Sequence, residues 1–209
     1  MYVTTDAVAF SCTAEEGLRL LLIRRAKPPF EGRWALPGGF VEAHEELPDA
    51  CARELKEEAG LSPAAMVQIG AWGKPGRDPR GRTVSVAYLA VVRPDGAEAV
   101  AGDDAEQAEW RLADHLPRLA FDHEEIAAAG RERLRSMADS THIVFGLLPE
   151  RFKAEDLRDA LGAVRGELVT GQETMAFARR AHVVKERAEG TRQVQLYRCV
   201  APDLLAPLR

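Results

Sequence analysis

The chain has 209 residues, 46% of them hydrophobic and 29% charged, which suits one full domain with a smaller companion and supports a packed core rather than wholesale disorder. A net charge of −5 excludes a surface that is basic throughout but leaves room for a local basic face. Cys12, Cys51 and Cys199 are an odd and scattered set with no C-x-x-C pair, and no apolar run approaches membrane-spanning length, so the expectation is a cytoplasmic protein without a disulfide framework, a zinc site or a membrane anchor.

Short runs rich in Val, Leu and Ile from Asp6 to Cys12 and from Arg19 to Arg24 predict two strands, with Glu15-Glu16-Gly17 as their turn. A loop from Lys27 to Gly32 leads through Trp34-Ala35-Leu36-Pro37 to Gly38-Gly39. Pro48 fits the first turn of a helix and Gly60 fits its C-terminal cap. Met66 to Trp72 and Thr83 to Val92 predict further strands, separated by a Gly/Pro-punctuated loop carrying Arg77, Arg80 and Arg82. Asp95 to Asp104 is an acidic turn, and Glu109-Trp110-Arg111 predicts a last strand. Phe121 to Met137, with Ile126, Leu134 and Met137 among charged residues, reads as an amphipathic helix.

The composition shifts at about Asp139-Ser140, which divides the chain into residues 1–138 and 139–209. The second part holds a strand-like Ile143-Val144-Phe145 and a helix near Ala154 to Val164. A second helix follows around Glu173 to Ala181, then Val183 to Arg187 and Arg192 to Cys199 as the two arms of a hairpin. Two short helices and a hairpin describe a winged helix-turn-helix.

The chemistry concentrates between Gly38 and Leu61. On a helix, Glu54 lies three residues from Glu57 and four from Glu58, so the three acids project from one face. Carboxylates crowded in this way repel unless a cation sits among them, and hard oxygen ligands select Mg²⁺ or Mn²⁺. Arg53 can orient the acids through bidentate hydrogen bonds, and a tight Gly38-Gly39 turn lets backbone approach the metal. The alternative is a solvated helix with i,i+4 ion pairs among Asp49, Arg53 and Glu57.

The spacing resembles the Nudix box, G-x5-E-x7-R-E-U-x-E-E-x-G-U with U aliphatic. Gly39, Glu45, Arg53-Glu54-Leu55, Glu57-Glu58 and Gly60-Leu61 fill every position. The resemblance implies an α/β/α sandwich with a mixed sheet and the hydrolysis of a nucleoside diphosphate linked to another group. It further implies Gly39, Glu54, Glu57 and Glu58 at the metal, Glu54 and Glu57 as catalytic acids, and Arg53 with Glu45 supporting them.

Arg24-Arg25, Lys27, Arg33, Arg77, Arg80 and Arg82 gather near this segment as cations that would hold a diphosphate, foremost Arg24, Arg33, Arg77 and Arg80, and Trp34 is a candidate for stacking on a purine. Each alone is more simply read as a solvated Arg or a core Trp, and only together do they point to a diphosphate. The segments KPPFEGRWALPGGFV and GRDPRGRTVSVAYLA resemble the branch of the superfamily that handles ADP-ribose, and Phe121-Asp122-His123-Glu124-Glu125 resembles the start of that branch's last helix, without giving His123 a chemical role.

Six cations, Arg179, Arg180, Lys185, Arg187, Arg192 and Arg198, stand against three acids on the second helix and hairpin, a patch suited to phosphates. The first five are the candidate DNA contacts; a solvated face on a packing module is the alternative. Over nearly the full chain, the Nudix box, Leu147-Leu148-Pro149, Arg151-Phe152, Leu157 and Gln195-Leu196-Tyr197-Arg198 resemble the NrtR family of transcriptional regulators. That resemblance implies a homodimeric, ADP-ribose-responsive regulator of NAD metabolism that binds duplex DNA. The sequence departs from that family at QETMAFARR, residues 172–180, which lacks the family's Asn-Phe-Arg-Arg element, and its Nudix box is intact where many members' boxes are degraded. An ADP-ribose pyrophosphatase yielding AMP and ribose 5-phosphate, with a tail that only packs or dimerises, therefore stands beside the regulator.

Overall fold

A computed structural model describes residues 1–102, 105–187, 195–201 and 203–208. The strands β1 (Tyr2–Thr13), β2 (Gly17–Arg25), β3 (Trp34–Ala35), β4 (Gly38–Phe40), β5 (Ala65–Trp72), β6 (Thr83–Val91) and β7 (Ala105–Leu112) form one mixed sheet of order β3-β2-β1-β6-β5. β4 pairs with β1, and β7 with β2. β1 and β6 run parallel at the centre, while the other described pairs are antiparallel. Their near-continuous burial follows, because a central strand is covered on both faces.

Alternation along β1 builds the layers. Ala7 and Ala9 point to one face, where Cys51, Leu55 and Ala59 of α1 (Leu47–Ala59) cover them. Val8 and Phe10 point to the other, against Ile126 and Leu134 of α2 (His123–Ala138). The expected α/β/α sandwich is thus present. Pro48 stands in the first turn of α1, and Gly60 caps it at φ 71°, donating its N–H to the Lys56 carbonyl.

Two local expectations change. Gly38–Phe40 is a strand, not only a loop, since Thr4 to Asp6 of β1 offer it a free edge. Ile143–Leu147 is a 3-10 turn rather than a strand: all five residues are buried, and i→i+3 bonds such as Phe145 N–H to the His142 carbonyl close it. Local β propensity yields there to packing, with Phe145 held between Phe152 and Phe177 at ring separations of 5.7 and 5.8 Å.

The remaining elements, α3 (Ala154–Arg165), α4 (Gly171–Arg180), β8 (Val184–Arg187) and β9 (Gln195–Arg198), follow the winged-helix order. A capping box opens α4: Thr170 Oγ1 accepts from the Glu173 N–H, and a Glu173 carboxylate oxygen accepts from the Thr170 N–H. β9 is tied to the start of α3 by reciprocal backbone bonds between Phe152 and Tyr197. Arg93, beyond β6, donates to the Phe145 and Leu148 carbonyls at 3.0 and 2.9 Å and so fastens the 3-10 turn to the sheet. Among the described residues no helix is long and apolar enough to cross a membrane.

Candidate functional site

Arg53 is the hub of α1. Its Nε and Nη2 donate to the two carboxylate oxygens of Glu45 at 3.0 and 2.7 Å, and its Nη1 donates to Glu54 and Glu57 at 2.9 Å each. Nη2 also reaches the Phe40 carbonyl, which binds β4 to the helix. Glu58, on the inner side of α1, is buried and accepts the Gly38 N–H at 2.8 Å.

The electrostatics divide these acids. Arg53's hydrogen bonds, chiefly, pull Glu45 at the rim down to about 2. Glu54 touches the same guanidinium, yet burial outweighs that contact and raises it. Burial pushes Glu58 up to about 8, against the lowering effect of the Gly38 N–H. Two neighbouring acids are therefore short of compensating positive charge.

A cation fits that deficit. The donors are carboxylate oxygens, the class that hard divalent ions prefer. Gly39 shapes the cradle: a Cβ there would stand 2.3 Å from Glu54 Oε1, so any other residue would push the carboxylate aside. Gly38 is equally restricted, since its Cβ would meet the Thr5 carbonyl at 2.1 Å. Among the described residues no three acidic, His or Cys side chains already surround one point. Glu54 and Glu57 turn instead toward Arg53, and the cation would have to draw them back.

These groups form one wall of a cavity of about 460 Å³. The opposite wall comes from the β5–β6 loop and the start of α2. Arg77 is bidentate to Asp122 at 2.9 and 2.6 Å and lies 3.6 Å from Asp6, with only 4% of its side chain exposed. Arg80 is held by Asp78 and lies over the Phe40 and Phe121 rings at 4.9 and 5.8 Å. Arg25 covers Phe121 from another side at 5.0 Å. Asp6 accepts from Ser85 Oγ at 2.5 Å, and His123 is buried with Nδ1 accepting the Leu36 N–H at 2.9 Å.

The predicted site residues separate on this map. Gly39, Arg53, Glu54, Glu57, Glu58, Arg77 and Arg80 all line the cavity. Arg24, Arg33 and Trp34 lie outside its lining in the single chain. Arg24 donates to the Gly32 carbonyl, Arg33 covers Phe30, and Trp34 lies under Arg111. Strand alternation is the reason for the first, since Arg25 takes the cavity side of β2 and its neighbour does not. Arg25 and Lys27, among the cations that the sequence gathers near the glycine turn, line the cavity, and so do Asp6, Phe40, Phe121 and His123, to which the sequence gives no chemical role. Asp6 carried a faint signal, as one acid inside an apolar run.

In the second part, Arg179 and Arg180 are exposed on the last turn of α4, and Lys185 is exposed on β8. Arg187 also belongs to β8, while Arg192 lies outside the described residues. Glu186 receives Arg151 at 2.9 Å and Arg198 at 2.7 Å, which leaves Arg198 already paired within the hairpin.

Comparison with known proteins places this geometry in context. The family model for the NUDIX domain matches residues 4–131. The ADP-ribose pyrophosphatase of Methanocaldococcus jannaschii is 47% identical over 57% of this chain and 70% of its own length. The ADPR-responsive transcriptional repressor NtrR of Acinetobacter baylyi is 32% identical over 96% of this chain and 83% of its own. The crystal structure of Shewanella oneidensis NrtR complexed with a 27mer DNA superposes with a TM-score of 0.81 at 28% identity, covering 99% of each chain.

Proposed function

The chain belongs to the Nudix family, and on that premise we propose that it is an ADP-ribose-responsive transcriptional regulator of NAD metabolism whose Nudix site remains competent for hydrolysis. Residues 1–138 form the ligand-sensing unit, and residues 139–209 form the DNA-contacting unit. The observation that carries this reading is the full-length likeness to an ADPR-responsive repressor, accompanied by a winged-helix order of elements that a hydrolase alone has no need of.

Nudix hydrolases work with a divalent metal, Mg²⁺ or Mn²⁺ in this reading, which when bound neutralises phosphate charge and polarises water. Glu54, Glu57 and Glu58 would hold it, with Gly39 leaving room for the Glu54 carboxylate. Arg53 holds Glu54 and Glu57 on one side of α1 and compensates their charge until a cation takes over part of that role. Arg80 and Arg25 face the same cavity and suit a diphosphate, and the Phe121 ring between them offers a surface for a base or sugar. Arg179, Arg180 and Lys185 contact DNA phosphates, with Arg187 and Arg192 assigned to the same surface. A homodimer is proposed on symmetry grounds, since two winged helices related by a two-fold axis read a palindromic operator.

The complete Nudix box favours a second, compatible activity. Water would add to one phosphorus of ADP-ribose as the bridging P–O bond breaks, yielding AMP and ribose 5-phosphate.

A mobility-shift titration with DNA from upstream of the chain's own gene, at about 0.15 M salt, tests the regulator. Retardation that ADP-ribose reverses supports it. Absence of retardation, or indifference to ADP-ribose, overturns it.

A further inference from the structure

The loop that carries the glycine turn is tied down at three successive residues by three different elements. The Leu36 N–H donates to His123 Nδ1 at the start of α2, at 2.9 Å. The Pro37 carbonyl accepts from the Ala7 N–H of β1 at 2.8 Å. The Gly38 N–H donates to Glu58 of α1 at 2.8 Å. The second tie is within the sheet, and the third belongs to the metal-binding acids themselves. The first depends on one side chain 87 positions away in sequence.

We propose that His123 is a positioning residue for the metal site: by accepting the Leu36 N–H it fixes the path of Leu36-Pro37-Gly38 and so sets where the Gly38 N–H meets Glu58 and where Gly39 meets Glu54. The geometry leaves the imidazole no other role at Nδ1. Leu36 is 1% exposed and His123 5%, so water cannot replace the bond. Because Nδ1 accepts, the proton of the neutral ring is assigned to Nε2, which faces Asp6 at 3.6 Å. Asp6 is in turn held by Ser85 and lies beside Arg77, whose guanidinium grips Asp122, the neighbour of His123. The Phe121 ring stacks on the imidazole at 5.1 Å and restricts its rotation. Backbone and side chains thus hold the ring with its acceptor aimed at the loop.

This inference rests on the proposed metal role of Glu54, Glu57 and Glu58, and its test keeps the two apart. The probe is Mn²⁺ alone, bound to the full chain and followed by electron paramagnetic resonance, so that no turnover is needed. His123→Leu keeps a side chain of similar bulk but has no acceptor; His123→Asn places Oδ1 near the position of Nδ1. The Mn²⁺ dissociation constant of H123L is expected to rise about ten- to a hundredfold, as supporting contacts behind metal ligands typically require, and H123N should recover to within about threefold of wild type. If H123L does not fold, H123N is compared with His123→Gln, whose acceptor lies one carbon farther out; wild-type affinity in H123N with weakened affinity in H123Q carries the same support. Equal Mn²⁺ affinity in wild type and H123L, or equal affinities in H123N and H123Q, overturns the positioning role. Absence of Mn²⁺ binding by the wild-type chain overturns the metal reading itself, and this inference with it.

Discussion

Gly39 and Glu54 are packed so closely that a methyl group on the glycine would stand 2.3 Å from the nearest carboxylate oxygen. The glutamate end is flexible and can swing clear, but doing so moves the carboxylate from the place beside Arg53 that it holds now. Gly39→Ala should therefore reduce ADP-ribose turnover by about a hundredfold, the scale of an ångström-sized misplacement, and cost about 1–3 kcal/mol of stability. Steady-state AMP release and denaturant melts check the two effects. Wild-type turnover in the variant would mean that the carboxylate can move aside without loss.

Arg53 is a fork that a lysine cannot replace, because it serves Glu45 through two nitrogens while Nη1 serves Glu54 and Glu57. Arg53→Lys keeps the charge and loses the geometry. Turnover is expected to fall about ten- to a hundredfold, with a rise in the Mg²⁺ concentration needed for half-maximal rate. A metal titration of initial rates would reveal whether only the charge matters, in which case the curves would superimpose.

Glu58 sets a pH dependence whose sign follows from burial. Its folded value of about 8 lies above the ordinary 4.5, so the metal-free fold holds a proton that the unfolded chain has already released. Stability is then fully present below about 4.5 and declines as pH rises toward 8. Glu45, pulled down to about 2, acts oppositely, but its contribution is lost only as pH falls below 4.5 and leaves the upper window untouched. Thermal melts in chelator should show the melting temperature falling between about pH 6.5 and 8, above the range in which His123, held low by burial, acts oppositely, with Mg²⁺ restoring more of it at the higher pH as it displaces the proton. Glu58→Gln should flatten the chelator curve. A flat wild-type curve would show that Glu58 is ionised without the metal.

Glu57 is the most exposed of the three acids, with 58% of its side chain accessible, and it can reach a water or a phosphate from the cavity mouth. Glu57→Gln should lower ADP-ribose hydrolysis about a hundredfold or more while leaving DNA retardation intact. Unchanged turnover would remove the hydrolase reading, and the regulator would stand alone.

Arg179 and Arg180 are exposed on α4 and contact phosphates in the proposed complex. The double change to alanine should weaken DNA binding for all sequences alike and reduce the slope of log affinity against log salt by about 2. An unchanged slope would place the DNA on another face of the winged helix.

The sequence alone determined the parts of this protein that depend on short-range spacing. Gly39, Glu45, Arg53, Glu54, Glu57, Glu58 and Gly60 are close enough in the chain for one loop and one helix to bring them together, and the helical period already placed the acids on one face. The order of strands and helices was legible for the same reason, as was the hairpin after α4. Ile143-Val144-Phe145 reads as a strand because its β-branched residues signal one locally, while burial of all five residues makes Ile143–Leu147 a 3-10 turn.

Only the tertiary structure decided the second wall of the cavity. Arg77 meets Asp122 across 45 residues, Asp6 meets Ser85 across 79, and His123 meets Leu36 across 87. Such pairs arise from the crossing of β1, β6 and α2, and no periodicity in one segment encodes them. The same holds for Arg24 and Arg25, adjacent in sequence and alike in chemistry. Strand alternation turns one of them to the cavity, and only the register of β2 in the folded sheet selects Arg25.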